Sequence, residues 1–298
     1  MRRHSPARDA LEYWGAALVL KTLEHSPRPL AERLARFYAR LLDLAAPRLR
    51  RTAMRNLEMA LPETNLAERR RITKGVFRSI ARLLVSFARI SRIRNDMDSW
   101  VRREGTEHFE AGLRRGKGVI LSTAHMGNWE MGAWAHGILS APMYVVVRPL
   151  DNPRMDELVA RLRAAHGNHV VEKRAFARGI LKALAANEAV GILIDQNTSA
   201  EEGVFADFFG IPACVNPGIA RIAAHSGASV VPAFALWSDA ERRYVVRYYP
   251  PVEITGDAVE DTRRLQKQLE DVIRQYPDQW LWIHRRWKTR PHGEPPLY

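Results

Sequence analysis

The hydrophobic pattern divides the chain into two parts. Over residues 1–100 apolar positions recur at helical spacing among many arginines. Residues 30–42 set leucines and aromatics against arginines, and Ile72, Val76, Phe77, Ile80, Leu83, Leu84 and Phe87 continue the period to Ile90. From about residue 118 short apolar runs alternate with helical stretches. Strands are predicted over residues 119–123, 143–147, 190–194, 229–234 and 244–249. Helices are predicted over residues 129–139, 153–166, 175–187 and 259–275, with a further one opened by Asn216-Pro217 and ended by Gly227. This alternation predicts an α/β fold, a central, mostly parallel sheet flanked by helices. The expected organisation is a helical, basic, membrane-associating region over residues 1–100 and an α/β domain over residues 101–298.

Composition narrows the picture. A hydrophobic fraction of 46% and eight tryptophans argue against disorder. Forty-six Lys and Arg against thirty-three Asp and Glu leave a net charge of +13, which draws the chain to polyanions. No zinc spacing, helix-turn-helix signature or aromatic-basic RNA motif accompanies that charge, so no nucleic acid is expected as a partner. An anionic phospholipid membrane is the other partner that it suits. The single Cys214 excludes an intramolecular disulfide and leaves no basis for a cysteine-built metal site; no metal is expected.

The apolar run over residues 13–20 ends at Lys21 without a small-residue cleavage site. It is shorter than the roughly 20 residues that span a bilayer. Peripheral attachment through residues 10–45, with arginines at the headgroups, is therefore expected. The same pattern also suits ordinary surface helices packed on the second domain.

Candidate chemistry centres on His125, just beyond a predicted strand in a turn that opens a helix, where open α/β sheets bind ligands. Glu130 follows five positions on. Inside one helix the two would point about 140° apart. They can meet only with His125 in the turn and Glu130 in the first helical turn, which Gly127 and the N-cap candidate Asn128 permit. Such a pair suits acyl transfer by direct attack: the imidazole takes a proton from an acceptor hydroxyl while the carboxylate fixes its tautomer. No serine or cysteine stands in an elbow motif beside His125, so the acceptor is the expected nucleophile. On spacing alone, the histidine could instead cap or hydrogen-bond near a strand end.

Two more groups fall at the same edge. Arg148 follows a predicted strand, where a guanidinium can clamp phosphate, and Asp195 ends another. The aromatic residues 205–209 suit either an acyl groove or core. Trp280, Trp282 and His284 alternate as in a final strand that buries its indoles.

Residues 116–130 (GKGVILSTAHMGNWE) closely resemble the signature block of the bacterial lipid A biosynthesis acyltransferases, the lauroyl/myristoyl transferase group of the glycerolipid acyltransferase superfamily. The resemblance continues, in family order, through residues 53–62, 148–153, 195–196, 203–210 and 280–288. It implies that His125 and Glu130 form the active-site His-x4-Asp/Glu motif. It also implies substrate-binding or positioning roles for Asn128, Arg148, Arg163 and Asp195. The implied reaction moves a fatty acyl chain from an acyl carrier protein thioester to a hydroxyl of a phosphorylated glycolipid, a lipid A precursor, at the cytoplasmic face of the inner membrane. No cofactor is implied. The chain departs from the many members that carry a clear N-terminal transmembrane helix. Another lipid acceptor, such as a lysophospholipid, ornithine lipid or glycolipid, would use the same pair, and a hydrolase would use water instead.

Overall fold

The computed structural model describes residues 5–147, 149–164, 167–172 and 176–298. Arg148 lies outside them. The N-terminal part is helical as expected: α1 (Pro6–His25), α2 (Arg28–Ala45), α3 (Pro47–Ala60), α4 (Leu66–Ile93) and the short α5 (Met97–Trp100). There follow β1 (Val101–Glu104), α6 (Thr106–Arg114), β2 (Val119–Thr123), α7 (Trp129–Leu139), β3 (Tyr144–Val147), α8 (Pro153–Ala164), β4 (His169–Glu172), α9 (Phe176–Ala185) and β5 (Ala189–Leu193). The chain ends with β6 (Val204–Phe208), β7 (Ile211–Val215), α10 (Gly218–Ser226), β8 (Ser229–Ser238), β9 (Arg243–Tyr248) and α11 (Ala258–Gln275).

The sheet order is β1-β9-β8-β2-β5-β3-β4. Its five central and distal strands, β8, β2, β5, β3 and β4, pair in parallel, whereas β9 runs antiparallel to β8 and carries β1 in parallel beside it. The predicted mostly parallel sheet is thus present. Parallel strands are covered on both faces, which is why β2 and β5 read as unbroken apolar runs. Helices α1, α2, α4, α6 and α7 share a core with one face of the sheet, and α9, α10 and α11 share a core with the other.

Of the two readings of residues 205–209, core holds for Phe208 and Phe209: the run forms the first arm of a separate hairpin, β6–β7, that buries both in a cluster with Trp280, Trp282 and Trp287. One expectation changes. The indoles of that cluster are buried as predicted, but their segment is no strand. Among the described residues it makes one isolated bridge, Met126 to Trp280, and otherwise runs as turns. Its hydrogen bonds run to the turns at His125 and Asp195 and to α3 and α11 instead of along a strand ladder: Asn56 on α3 donates to Trp282 O at 2.6 Å and His284 O at 2.7 Å.

The helices of the first hundred residues are built on α4. Asn65 caps it by accepting from the Glu68 N–H at 2.9 Å. The buried Arg89 on α4 donates to the Ser26 carbonyl at 2.7 Å, setting a cation where the α1 dipole ends. Helix α2 packs against α4 through Ala31, Ala35 and Ala39, all buried, so small residues set the contact. Most of its large apolar side chains face outward: Leu30, Phe37, Leu41 and Leu44 are exposed among Arg33, Arg36 and Arg40. Leu11, Trp14 and Leu18 continue the same character on α1. Sequence periodicity had set leucines against arginines; in the structure Leu34 and Tyr38 turn toward the core, whereas Leu30, Phe37, Leu41 and the arginines point away from the protein. Among the described residues no helix is long and apolar enough to cross a membrane.

Candidate active site

The site follows from strand register. Strands β2 and β5 are parallel neighbours that pair Thr123 with Leu193, so the chain leaves the sheet side by side at both C-terminal ends. His125 lies two residues beyond one strand and Asp195 two beyond the other. Asp195 Oδ1 accepts from His125 Nδ1–H at 2.9 Å, and Oδ2 accepts from the His125 backbone N–H at 2.9 Å. Trp280 Nε1–H donates to that same Oδ2 at 2.9 Å. Burial alone would raise the Asp195 pKa. The His125 charge and the three donors outweigh it and bring the group down to about 2. Asp195 is therefore a carboxylate, and it holds the proton of His125 on Nδ1. The other ring nitrogen, Nε2, is left with its lone pair toward the open side, 3.4 Å from the Gln196 amide nitrogen.

Glu130 does not take this place. As expected, His125 sits in the turn and Glu130 in the first turn of α7, and Asn128 caps the helix by accepting from Met131 N–H at 3.0 Å. The Glu130 carboxylate, however, faces α8. Its oxygens take a two-pronged ion pair from Arg163, with contacts of 2.6, 2.9 and 3.1 Å, and a bond from Trp129 Nε1 at 3.1 Å. The carboxylate nearest in sequence thus serves an arginine, and the one 70 residues away serves the histidine. Asn128 also departs from expectation. It is fully buried, and its amide donates to Ser86 Oγ at 2.8 Å, so both ends of the side chain are committed inside the protein.

The turn that carries His125 is tightly fixed. Gly127 has φ +58°, and a Cβ there would lie 2.0 Å from the Ala235 carbonyl oxygen, so only glycine fits. Its N–H donates to Gln279 O at 2.8 Å, the Leu281 N–H donates to His125 O at 2.9 Å, and Asn128 N–H donates to Ala235 O at 2.9 Å. The loop after β5 is held by the same C-terminal segment. His284 Nε2 accepts from the Asn197 N–H at 3.1 Å. Burial drives its pKa down to about 4, with Arg286 and His125 adding to the shift against the pull of Asp195, so it stays neutral. The fully buried Arg286 donates to the Cys214 carbonyl at 3.0 Å and to Gln266 Oε1 at 2.9 Å. None of this was evident from spacing, although Gln196, Trp280, His284 and Arg286 all fall within the segments that carried the family resemblance.

Beside the histidine opens an apolar cleft of about 620 Å³, counting its open mouth. It runs between α7 and the sheet. Trp129, Glu130 and Arg163 line the end near His125, and the Trp129 ring stands edge-on to the imidazole at 4.9 Å. About two helical turns along α7 from Trp129, about 10 Å, His136 lines the cleft together with Tyr248. Gly132, Ala133 and Ala235 leave the space, and Leu121, Val145 and Leu193 supply apolar walls. His136 bonds the Tyr248 hydroxyl at 3.1 Å, and burial lowers its pKa to about 4, so it adds no charge.

A carboxylate-held imidazole beside an apolar cleft is an arrangement that suits chemistry on apolar chains. The particular family is shown by comparison: the model for the bacterial lipid A biosynthesis acyltransferases matches residues 1–289, and the chain belongs to that family. It is 28% identical over 296 residues to the lipid A biosynthesis lauroyltransferase of Escherichia coli, covering 96% of this chain and 94% of that protein. It is 30% identical over 269 residues to the palmitoleoyltransferase of the same organism, covering 87% and 86%. A lipid A biosynthesis acyltransferase of Haemophilus influenzae is 27% identical over 292 residues, covering 95% and 90%.

Proposed function

We propose that the protein transfers a fatty acyl chain from an acyl carrier protein thioester to a hydroxyl of a lipid A precursor, with His125 as the general base and Asp195 as its partner. The observation that carries this reading is the His125 ring held by Asp195 on one nitrogen and standing 4.9 Å from the Trp129 ring that lines the apolar cleft. The acyl chain enters the cleft and its thioester carbonyl stays near Trp129. Nε2 takes the proton of the acceptor hydroxyl as its oxygen bonds to the carbonyl carbon. The carbon–sulfur bond then breaks, and the imidazolium returns the proton to the leaving thiolate. Asp195 stabilises that imidazolium throughout. Arg163, held by Glu130, places a guanidinium at the mouth, where a substrate phosphate or the developing negative charge on the carbonyl oxygen is stabilised.

The apolar and arginine-bearing outer faces of α1 and α2 support attachment to an anionic bilayer at the cytoplasmic face of the inner membrane. The lipid acceptor is an amphiphile seated in that bilayer, and a surface-seated enzyme meets it there.

Labelled acyl transfer from acyl carrier protein to a panel of acceptors tests the reading. His125→Ala is expected to abolish transfer, and Asp195→Asn to lower kcat by roughly 10²–10⁴-fold, with the fold retained in both. Full activity in His125→Ala would overturn the mechanism. Labelling of lysophosphatidic acid but not of a lipid A precursor would overturn the acceptor.

A further inference from the structure

Asp195 has to present one oxygen to the imidazole and keep it there. Its side chain is buried, and a carboxylate with a single fixed donor can turn about its last bond. The second oxygen, Oδ2, decides the matter, because it collects two N–H donors: the His125 backbone and the Trp280 indole, each at 2.9 Å. The first comes from the turn being positioned. The second comes from a segment 85 residues away in sequence from Asp195, and so provides an outside reference.

Trp280 is itself fixed. It is 1% exposed, stacked edge-on with Phe208 at 5.7 Å and Trp282 at 4.6 Å. Its neighbours on the chain hold the other half of the pair, since Gln279 O takes the Gly127 N–H and Leu281 N–H reaches His125 O. Gln279 is anchored in turn by its side-chain amide, which donates to Trp237 O at 3.0 Å and accepts from Trp237 N–H at 2.8 Å. A single three-residue stretch therefore grips the His125 turn through its backbone and the Asp195 carboxylate through an indole.

We propose that Trp280 is a positioning residue for the reaction: its indole N–H locks the Asp195 carboxylate so that Oδ1 stays on the His125 ring. The proposal rests on His125 acting as the base. The other charged or titratable groups around the pair are His284 and Arg286 on the same C-terminal segment and the Glu130–Arg163 ion pair from α7 and α8. None of them donates to Oδ2 among the bonds described above.

The test compares wild type with Trp280→Phe, which keeps an aromatic ring in the cluster and removes only the N–H donor. Trp282→Phe is the control: Trp282 shares the cluster, and its own indole donates to the Pro277 carbonyl instead of Asp195. Two readouts are needed, steady-state transfer kinetics and the downfield proton resonance of His125 Nδ1–H, assigned by its loss in His125→Ala. Trp280→Phe should lower kcat about tenfold, the weight of one hydrogen bond to a charged group, with KM within twofold of wild type. The His125 resonance should move upfield and broaden. Trp282→Phe should leave that resonance in place, and adding Trp280→Phe to Asp195→Asn should cause no further loss of kcat. The proposal is overturned by a wild-type resonance in Trp280→Phe, or by the same change in both tryptophan variants, which would reveal packing alone. Failure of the functional reading would look different: His125→Ala would remain active while the resonance still responded to Trp280.

Discussion

Arg163 meets Glu130 through two guanidinium nitrogens at the mouth of the cleft, and the carboxylate it neutralises is 3% exposed. The pair joins α7 to α8 and sets the polar rim of an otherwise apolar cavity. Its two halves are unequal in what their loss leaves behind. Removing the arginine strands an anion inside the protein, whereas removing both charges leaves none.

Arg163→Met is accordingly expected to destabilise the fold by about 3–5 kcal/mol. Arg163→Met combined with Glu130→Leu should recover most of that loss. Urea unfolding of the two variants, compared with wild type, measures it. Equal stability of the single variant and wild type would show that the pair adds nothing to the fold.

Gly132 sits on α7 where the cleft passes between helix and sheet, and a Cβ there would meet only Ala235 Cβ, at 3.5 Å. Gly132→Leu is therefore sterically admissible and fills the cleft partway along. Long acyl donors should lose kcat/KM by roughly 10–200-fold relative to short ones. A panel of donors of graded chain length gives the ratio. An unchanged preference would mean that the acyl chain lies elsewhere.

His136 and His284 both titrate at about 4 in the folded chain, against an ordinary value of 6.5, because burial disfavours their charged forms. The unfolded chain therefore binds more protons between these values. Stability from this source is complete above pH 6.5 and declines as pH falls toward 4, by up to about 3 kcal/mol for each residue. Asp195 adds a loss only lower, between about pH 4 and 2, as its depressed carboxylate is protonated. Thermal unfolding should thus fall off in two stages on acidification. Replacing His136 with Gln should remove about half of the upper one, and a Tm that holds constant from pH 7 to 4.5 would contradict the assignment.

Trp14 and Leu18 carry the most exposed part of the outer face of α1 together with Leu11. The double change Trp14→Glu and Leu18→Glu is expected to reduce co-sedimentation with anionic vesicles by at least about tenfold, from the lost insertion of two large apolar groups. Thermal stability should remain within a degree or two of wild type, since neither side chain is in the core. Undiminished vesicle binding would move the attachment surface away from α1.

Much of this was legible in the sequence, for identifiable reasons. The limits of α7 could be read because Asn128 and Gly127 are local signals, and the strand before His125 because a parallel strand covered on both faces is uniformly apolar. The pairing of His125 with Asp195 was not, since it depends on β2 and β5 being neighbours in register, a fact no local spacing contains. Glu130 was the nearer candidate in sequence, and the helix turned it toward α8. Trp280 had the right alternation for a strand, but its partners proved to be two loops, which periodicity does not describe. On α2 the period left an outward and a packed leucine face equally open; buried Ala31, Ala35 and Ala39, with Leu34 and Tyr38, make the inner face, and the other large apolar side chains face outward.

The grip of residues 279–289 on the His125 turn and the Asp195 loop also fixes when the site comes into being. These residues follow every strand of the sheet in the chain, so they are made after the last of them. Until they arrive, the imidazole and its carboxylate lack the bonds that aim them. A chain whose sheet forms before this segment docks therefore holds an unaimed pair, and the proposed activity reports on a segment that lies outside the sheet.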